Sequence, residues 1–312
     1  MAGVEYARSW LMAECSRLIP SNRIQSLVIR TLKRPFQSLF ASSLVLLLAS
    51  YGGASWYLWS KQRELIFFPA RDVQKTPANV NLKYEEVWLA TNESAVLNGW
   101  WLESNDPAAA TILYLHGNDS NIGGNLDHVA RLRRMGFSVL VVDYRGYGKS
   151  SGGFPSESQM YEDAEMAWRY LRERHAAPGG VLVYGHSLGG AVAIDLAVHH
   201  PEAAGLIVES TFTSMREMAE LTYWMFPLRL LLHEHFDALA KVPLLRLPTL
   251  FIHGSADAEV PYTMSERLFK AAGSAKWLTI IHGGGHENSP SVDEDLYRRA
   301  LLDFAQESQR HR

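Results

Sequence analysis

The residues best suited to chemistry lie in three short segments. Gly185-His186-Ser187-Leu188-Gly189-Gly190 sets a serine among small residues. The pattern Gly-x-Ser-x-Gly suits a nucleophile elbow, where the chain leaves a strand, turns sharply and enters a helix with the serine in strained backbone. Gly185 and Gly189 carry no side chain to obstruct that approach. A serine hydroxyl is a weak nucleophile at neutral pH. It needs a base within hydrogen-bond reach, and the base needs an orienting acid. Asp257 lies 70 residues after Ser187, and His286 lies 29 residues after Asp257. Serine, then acid, then histidine is the chain order expected of a triad carried on an α/β sheet. Such a set performs acyl transfer through a covalent intermediate. The motif is short, so it stands only if the surrounding elements can position it.

Those elements are legible. Val87–Thr91 and Val96–Leu102 read as paired strands. Strand-like apolar runs follow at Thr111–Leu115, Phe137–Val142, Val181–Tyr184, Gly205–Val208, Thr249–Ile252 and Trp277–Ile281. Helical patterns alternate with them at Asn125–Met135, Ser158–Arg174, Leu188–His199, Pro261–Ala272 and Val292–Gln306. Unbroken apolar strands alternating with amphipathic helices predict a mostly parallel sheet covered on both faces. Active sites in such sheets lie at the carboxyl ends of the strands. Ser187, Asp257 and His286 all follow predicted strands.

Four segments carry a resemblance: Gly-His-Ser-Leu-Gly-Gly, Asp-Tyr-Arg-Gly-Tyr-Gly-Lys-Ser, Glu-Ser-Thr-Phe-Thr-Ser-Met and Gly-Gly-Gly-His. Over about residues 62–308 the chain resembles the α/β-hydrolase superfamily. More narrowly, it is similar to a membrane-anchored, short-lid branch that includes serine aminopeptidase-like, lysophospholipase-like and depalmitoylase-like proteins. The resemblance implies an α/β-hydrolase fold with a short helical lid. It implies Ser187 as nucleophile, His286 as general base and then acid, and Asp257 as the orienting acid. It also implies an oxyanion hole from the backbone N–H groups of Asn118 and Leu188. The activity implied is cleavage of a carboxylic ester, or of a thioester or amide. A peptidase on the same triad, and a catalytically silent binding protein on the same fold, are the alternatives. No acidic subsite that would demand a free amino terminus is visible in the sequence, which ranks the peptidase second.

The N-terminal quarter is different. Residues 1–37 hold six basic residues (Arg8, Arg17, Arg23, Arg30, Lys33, Arg34) against two acidic ones, Glu5 and Glu14. No charge occurs from Pro35 to Ser60, and fifteen of the twenty-one residues in 39–59 are apolar. About 20 helical residues cross a hydrocarbon core of about 30 Å. Trp56, Tyr57 and Trp59 cluster at one end, as interfacial aromatics do. The expected organisation is a basic tail at 1–37, a transmembrane helix at 38–60 and a hydrolase domain at 61–312, with its lid at about 211–243. A cleaved signal peptide or a soluble helix fits the basic flank and the uncharged length less well. Six basic residues precede the span and four follow it (Lys61, Arg63, Arg71, Lys75). The positive-inside rule then puts the N-terminus in the cytoplasm and the catalytic domain on the outer face.

Composition sets further bounds. The chain has 312 residues, 47% of them hydrophobic, and a formal net charge of -3. Nothing there suggests a nucleic-acid partner. One cysteine, Cys15, excludes an intrachain disulfide framework and a cysteine-rich zinc site. No cofactor or metal is expected, since the hydrolysis needs none. The pairs His199-His200 and His233/His235 lack an apparent third ligand. Glu209 ends a strand and is the competing acid, more simply read as a loop brace. His116 and His253 are expected to bond loop backbone, His282 to be structural within a strand end, and His186 to line the core or a subsite. The Asp143–Ser150 loop lacks GxxxxGK[ST] and reads as a tight structural loop. Met215, Trp224, Met225, Phe226 and Leu230-Leu231-Leu232 make the segment 211–243 apolar; the resemblance implies a cover for an acyl or lipid-like substrate, with core packing of two helices and contact with the membrane as the alternatives.

Overall fold

The computed structural model describes residues 21–91, 95–175 and 178–310, with side chains from residue 39 onward. Arg8, Arg17, Glu5, Glu14 and Cys15 lie outside the described residues. The chain divides into two compact units between Leu58 and Trp59.

The elements run in chain order as helix α1 (Ser21–Ile66), strands β1 (Phe68–Pro69), β2 (Glu85–Ala90), β3 (Val96–Leu102), β4 (Thr111–Leu115) and β5 (Asp119–Ser120), then helix α2 (Leu126–Arg134). There follow β6 (Ser138–Val142), α3 (Glu157–Arg174), β7 (Val181–His186), α4 (Leu188–His199) and β8 (Gly205–Glu209). Three short helices come next, α5 (Met215–Tyr223), α6 (Leu228–Leu231) and α7 (Ala238–Lys241). The domain closes with β9 (Thr249–Gly254), α8 (Thr263–Ala271), β10 (Lys276–Ile281), α9 (Ser289–Val292) and α10 (Glu294–Arg310).

Within α1, Leu39–Ile66 is long and apolar enough to cross a membrane, with mean hydropathy 1.4 and no buried residue in its most apolar 18-residue stretch. The helix does not stop at Ser60. Lys61, Gln62, Arg63 and Glu64 are good helix formers, and no glycine or proline interrupts them before Ile66. Hydropathy marks where a helix is apolar, not where it ends.

Among the described residues, eight strands form one sheet in the order β10-β9-β8-β7-β4-β6-β3-β2. β2 and β3 pair antiparallel, and so do β3 and β6; the other pairs are parallel. Side chains alternate between faces, so each strand feeds two cores. Leu113 and Leu115 of β4 join Trp168 of α3 and Ala193 of α4 on one side. Ile112 and Tyr114 join Leu126 and Val129 of α2 and Phe304 of α10 on the other. β4 adjoins both β6 and β7, so strand order reverses there. This switch point opens a crevice at the carboxyl ends of β4 and β7.

Candidate active site

Ser187 sits directly after β7, and its backbone takes φ 53° and ψ −123°. That left-handed conformation is costly for a residue with a Cβ. Two glycines allow it. A Cβ on Gly189 would meet the Leu115 carbonyl at 2.1 Å, and one on Gly185 would meet the Gly189 carbonyl at 2.2 Å. The strand and helix therefore close only because both positions lack side chains.

The loops after β9 and β10 bring the partners. His286 Nε2 lies 2.9 Å from Ser187 Oγ, and His286 Nδ1 lies 2.7 Å from Asp257 Oδ2. Nδ1–H faces a carboxylate, so Nε2 carries a lone pair directed at the Ser187 hydroxyl. Asp257 Oδ1 accepts from the N–H groups of Glu259 and Val260, both at 2.9 Å. Burial would raise the Asp257 pKa, but hydrogen bonds from His253, His286 and Val260 outweigh it and hold the carboxyl well below its ordinary range. Burial pushes His286 down, yet the bond to Asp257 and the charges of Asp257, Glu259 and Glu287 lift it above the usual histidine value.

The peptides of the expected oxyanion donors are pinned from behind. In a trans peptide the N–H points opposite to the carbonyl of the preceding residue. The Ser187 carbonyl accepts from Gly190 N–H at 2.9 Å and from Thr211 Oγ1 at 2.6 Å. This aims Leu188 N–H away from them. The Gly117 carbonyl is 2.8 Å from His116 Nδ1, which fixes the peptide that carries Asn118 N–H. The Asn118 carbonyl accepts from Phe68 N–H and Tyr147 Oη, and its side-chain amide donates to Ile66 O at 2.7 Å.

The remaining candidates fall into place. Glu209 does not reach the imidazole. Its carbonyl accepts from Ser187 N–H, and its carboxylate accepts from the Tyr184 and Tyr297 hydroxyls. His253 bonds Val260 O as expected, but its Nε2 also lies 3.1 Å from Asp257 Oδ2. Sequence reading missed this second contact. The i,i+4 spacing of His253 and Asp257 across a strand end was the available signal. Thr211 was missed altogether. His282 corrects an expectation: β10 ends at Ile281 and His282 is exposed in the following turn. The Asp143 loop is structural. Ser150 Oγ donates to Asp143 O, and Arg145 pairs with buried Asp163. His200 pairs with Glu165 and Glu202, and His233 with Gln62.

A cavity of about 490 Å³ opens over Ser187. Two corrections come from its walls. None of its lining residues belongs to 211–243, whose Leu221, Trp224, Met225 and Leu230 are instead exposed. An apolar composition does not say which way a short helix turns its apolar side. The cavity is also acidic: Asp119, Asp127, Glu259 and Glu287 line it together with His128, His186 and His286. Asp119 and Asp127 come from β5 and the first turn of α2, and Glu259 and Glu287 from the loops after β9 and β10, so no sequence motif announces them.

A serine held on a left-handed turn at the reversal of a mostly parallel sheet, with imidazole and carboxylate in line behind it, is the architecture of the α/β hydrolases. A family signature described as serine aminopeptidase, S33, matches residues 106–237. A protein of Mycobacterium tuberculosis is 34% identical over 268 residues, covering 85% of this chain and 94% of its own length. Protein bem46 of Schizosaccharomyces pombe is 35% identical, covering 70% and 78%. An esterase of Pyrococcus furiosus superposes with a TM-score of 0.62 at 20% identity, covering 78% of this chain and 98% of that one. The chain belongs to the α/β-hydrolase superfamily, in the family that includes bem46 and the Escherichia coli protein YfhR.

Proposed function

We propose that the protein is a membrane-tethered serine hydrolase that cleaves carboxylic esters, with thioesters and amides as the other bonds open to the same chemistry. The reading is carried by the line Ser187 Oγ to His286 Nε2 at 2.9 Å and His286 Nδ1 to Asp257 Oδ2 at 2.7 Å. Ser187 attacks the acyl carbon as His286 takes its proton. The carbonyl oxygen becomes an oxyanion facing the N–H groups of Leu188 and Asn118. His286 then protonates the leaving group, and water, activated by the same imidazole, releases the acyl chain. Asp257 keeps the imidazole in the required tautomer and stabilises its cation.

A fluorophosphonate probe tests this. Wild type labels covalently, and Ser187→Ala does not. Equal labelling of both would remove Ser187 from the reaction.

The second reading is a peptidase or aminoacyl hydrolase. The acidic lining favours it, because four carboxylates suit a substrate with an ammonium group near the scissile bond. The family signature described as serine aminopeptidase points the same way. Comparing turnover of an aminoacyl ester with its N-acetylated form separates the two. A preference for the free amine supports the second reading, and indifference supports the first.

The tether is assigned to Leu39–Ile66. The flanking charges favour a cytoplasmic N-terminus and an outer catalytic domain. The full chain is expected to stay in the membrane pellet after alkaline carbonate extraction. Release into the supernatant would refute a spanning helix.

A further inference from the structure

The cavity has a second wall that the hydrolytic reaction does not use. His128, from α2, and His186, from the end of β7, are both buried, and Glu287 reaches them from the loop after His286. The ligand atoms these three residues offer all lie within 4.8 Å of one another. From this geometry we propose that His128, His186 and Glu287 form a binding site for a divalent transition-metal ion of the zinc class, opening into the cavity that holds Ser187.

The hydrogen bonds around the cluster support the assignment. His186 Nε2 lies 3.1 Å from the His286 carbonyl. Only a protonated nitrogen can bond a carbonyl, so Nδ1 carries a lone pair. A histidine whose second nitrogen donates to a backbone carbonyl is set up as metal ligands commonly are. His128 Nε2 is 3.5 Å from Glu287 Oε2. Its Nδ1 has no hydrogen-bond partner among the described residues and points towards the Glu209 carboxylate at 4.0 Å. Glu209 Oε1 is likewise without one. With a cation on Nε2, the Nδ1–H would face Glu209 in the carboxylate–histidine–metal arrangement. A cation would thus draw together groups that otherwise leave buried polar atoms unpaired.

Size and chemistry agree. Zinc–ligand bonds of about 2.0–2.1 Å put neighbouring ligands about 3.3 Å apart on a tetrahedral edge. The His128–Glu287 separation already fits, and Glu287 is exposed enough to swing inward. Two imidazoles and one carboxylate favour zinc-class ions over magnesium or calcium, which prefer all-oxygen shells. Three protein ligands would leave a fourth position open, and all three residues line the cavity.

The test uses the full chain in detergent micelles, with Zn²⁺ titrated by calorimetry and Co²⁺ read by visible absorption. The expected result is one Zn²⁺ per chain at a Kd of about 10 µM or tighter. Co²⁺ should give the intense bands of a tetrahedral site. His128→Gln and Glu287→Gln should each weaken binding about tenfold or more. Glu287 is exposed, so its variant is informative even if His128→Gln fails to fold. No saturable binding up to about 1 mM, or wild-type affinity in Glu287→Gln, overturns the site. Neither result depends on Ser187: a protein that binds zinc but ignores the fluorophosphonate would refute the hydrolase reading and leave the metal site standing.

Discussion

Two strand-end loops of this sheet each bury an aspartate, and the two behave in opposite ways. Asp257 follows β9. Four hydrogen bonds meet its carboxylate, from Glu259 N–H, Val260 N–H, His253 and His286. Asp143 follows β6. It accepts one hydrogen bond, from Ile122 N–H, while its Oδ2 has no partner among the described residues. Burial raises both, but only Asp257 has enough donors to reverse the effect. Asp143 is pushed up to about 8, because Ile122 N–H and the Arg71 charge offset little of the burial cost. His116, whose Nε2 is 3.5 Å from Asp143, is pushed down by burial to about 4. Near neutral pH the first loop therefore holds a fixed charge, and the second a mostly neutral pair. The donors around a carboxylate, more than its burial, decide whether it can stabilise a cation.

The largest test of that contrast is Asp257→Asn. Asparagine keeps the shape but favours the wrong imidazole tautomer. Turnover should fall about 10⁴-fold with folding retained. Glu209→Gln should not reproduce this loss, since Glu209 does not touch the imidazole. If it did, the acid would be misassigned.

An intermediate effect is expected at His253. Its Nε2–H is shared between Val260 O and Asp257 Oδ2, and its Nδ1 accepts from Ser265 Oγ at 2.7 Å. It touches no reacting atom, so it is a positioning residue. His253→Ala should lower kcat about 10–100-fold through misalignment of Asp257. KM should stay near wild type. A change confined to KM, or a loss explained by a lower Tm alone, would remove His253 from the triad's support.

The sequence made some of this legible. Val96–Leu102, Thr111–Leu115 and Leu188–His199 match their observed bounds, because apolar runs between turn residues leave few alternatives. The elbow was legible for a steric reason: glycine is required where a Cβ would strike the Leu115 carbonyl. The fold places the loops after β9 and β10 beside it, so Asp257 and His286 followed from strand order. What could not be read depends on direction rather than type. The apolar residues of 211–243 carried no sign that Leu221, Trp224 and Leu230 face outward. The short pairing of Phe68–Pro69 with Asp119–Ser120, which helps fix Asn118, lies below the length at which periodicity speaks. His128 and His186 lie 58 residues apart and meet only because α2 begins and β7 ends at one crevice.

Asp143→Asn is the smallest expected change in activity and the sharpest test of the contrast in charge. Asp143 has no contact with Ser187 or His286, so turnover should stay within about threefold of wild type, a barrier change well under 1 kcal/mol. Stability is where it differs. The unfolded carboxyl releases its proton near its ordinary value of about 4, while the folded one holds it to about 8. Across that window the folded state binds more protons, so wild-type stability falls as pH rises. Asparagine has no proton to lose and escapes the penalty. The melting temperatures of the two proteins should lie close at pH 5 and diverge by pH 9, with Asp143→Asn the more stable by a few kcal/mol. Asp257 works the other way: its stabilisation is present above about pH 4 and lost as acid protonates it. Parallel pH–stability curves for wild type and Asp143→Asn would mean that Asp143 is ionised when buried. The two loops would then differ in position only, and the number of donors would not set the charge of a buried carboxylate.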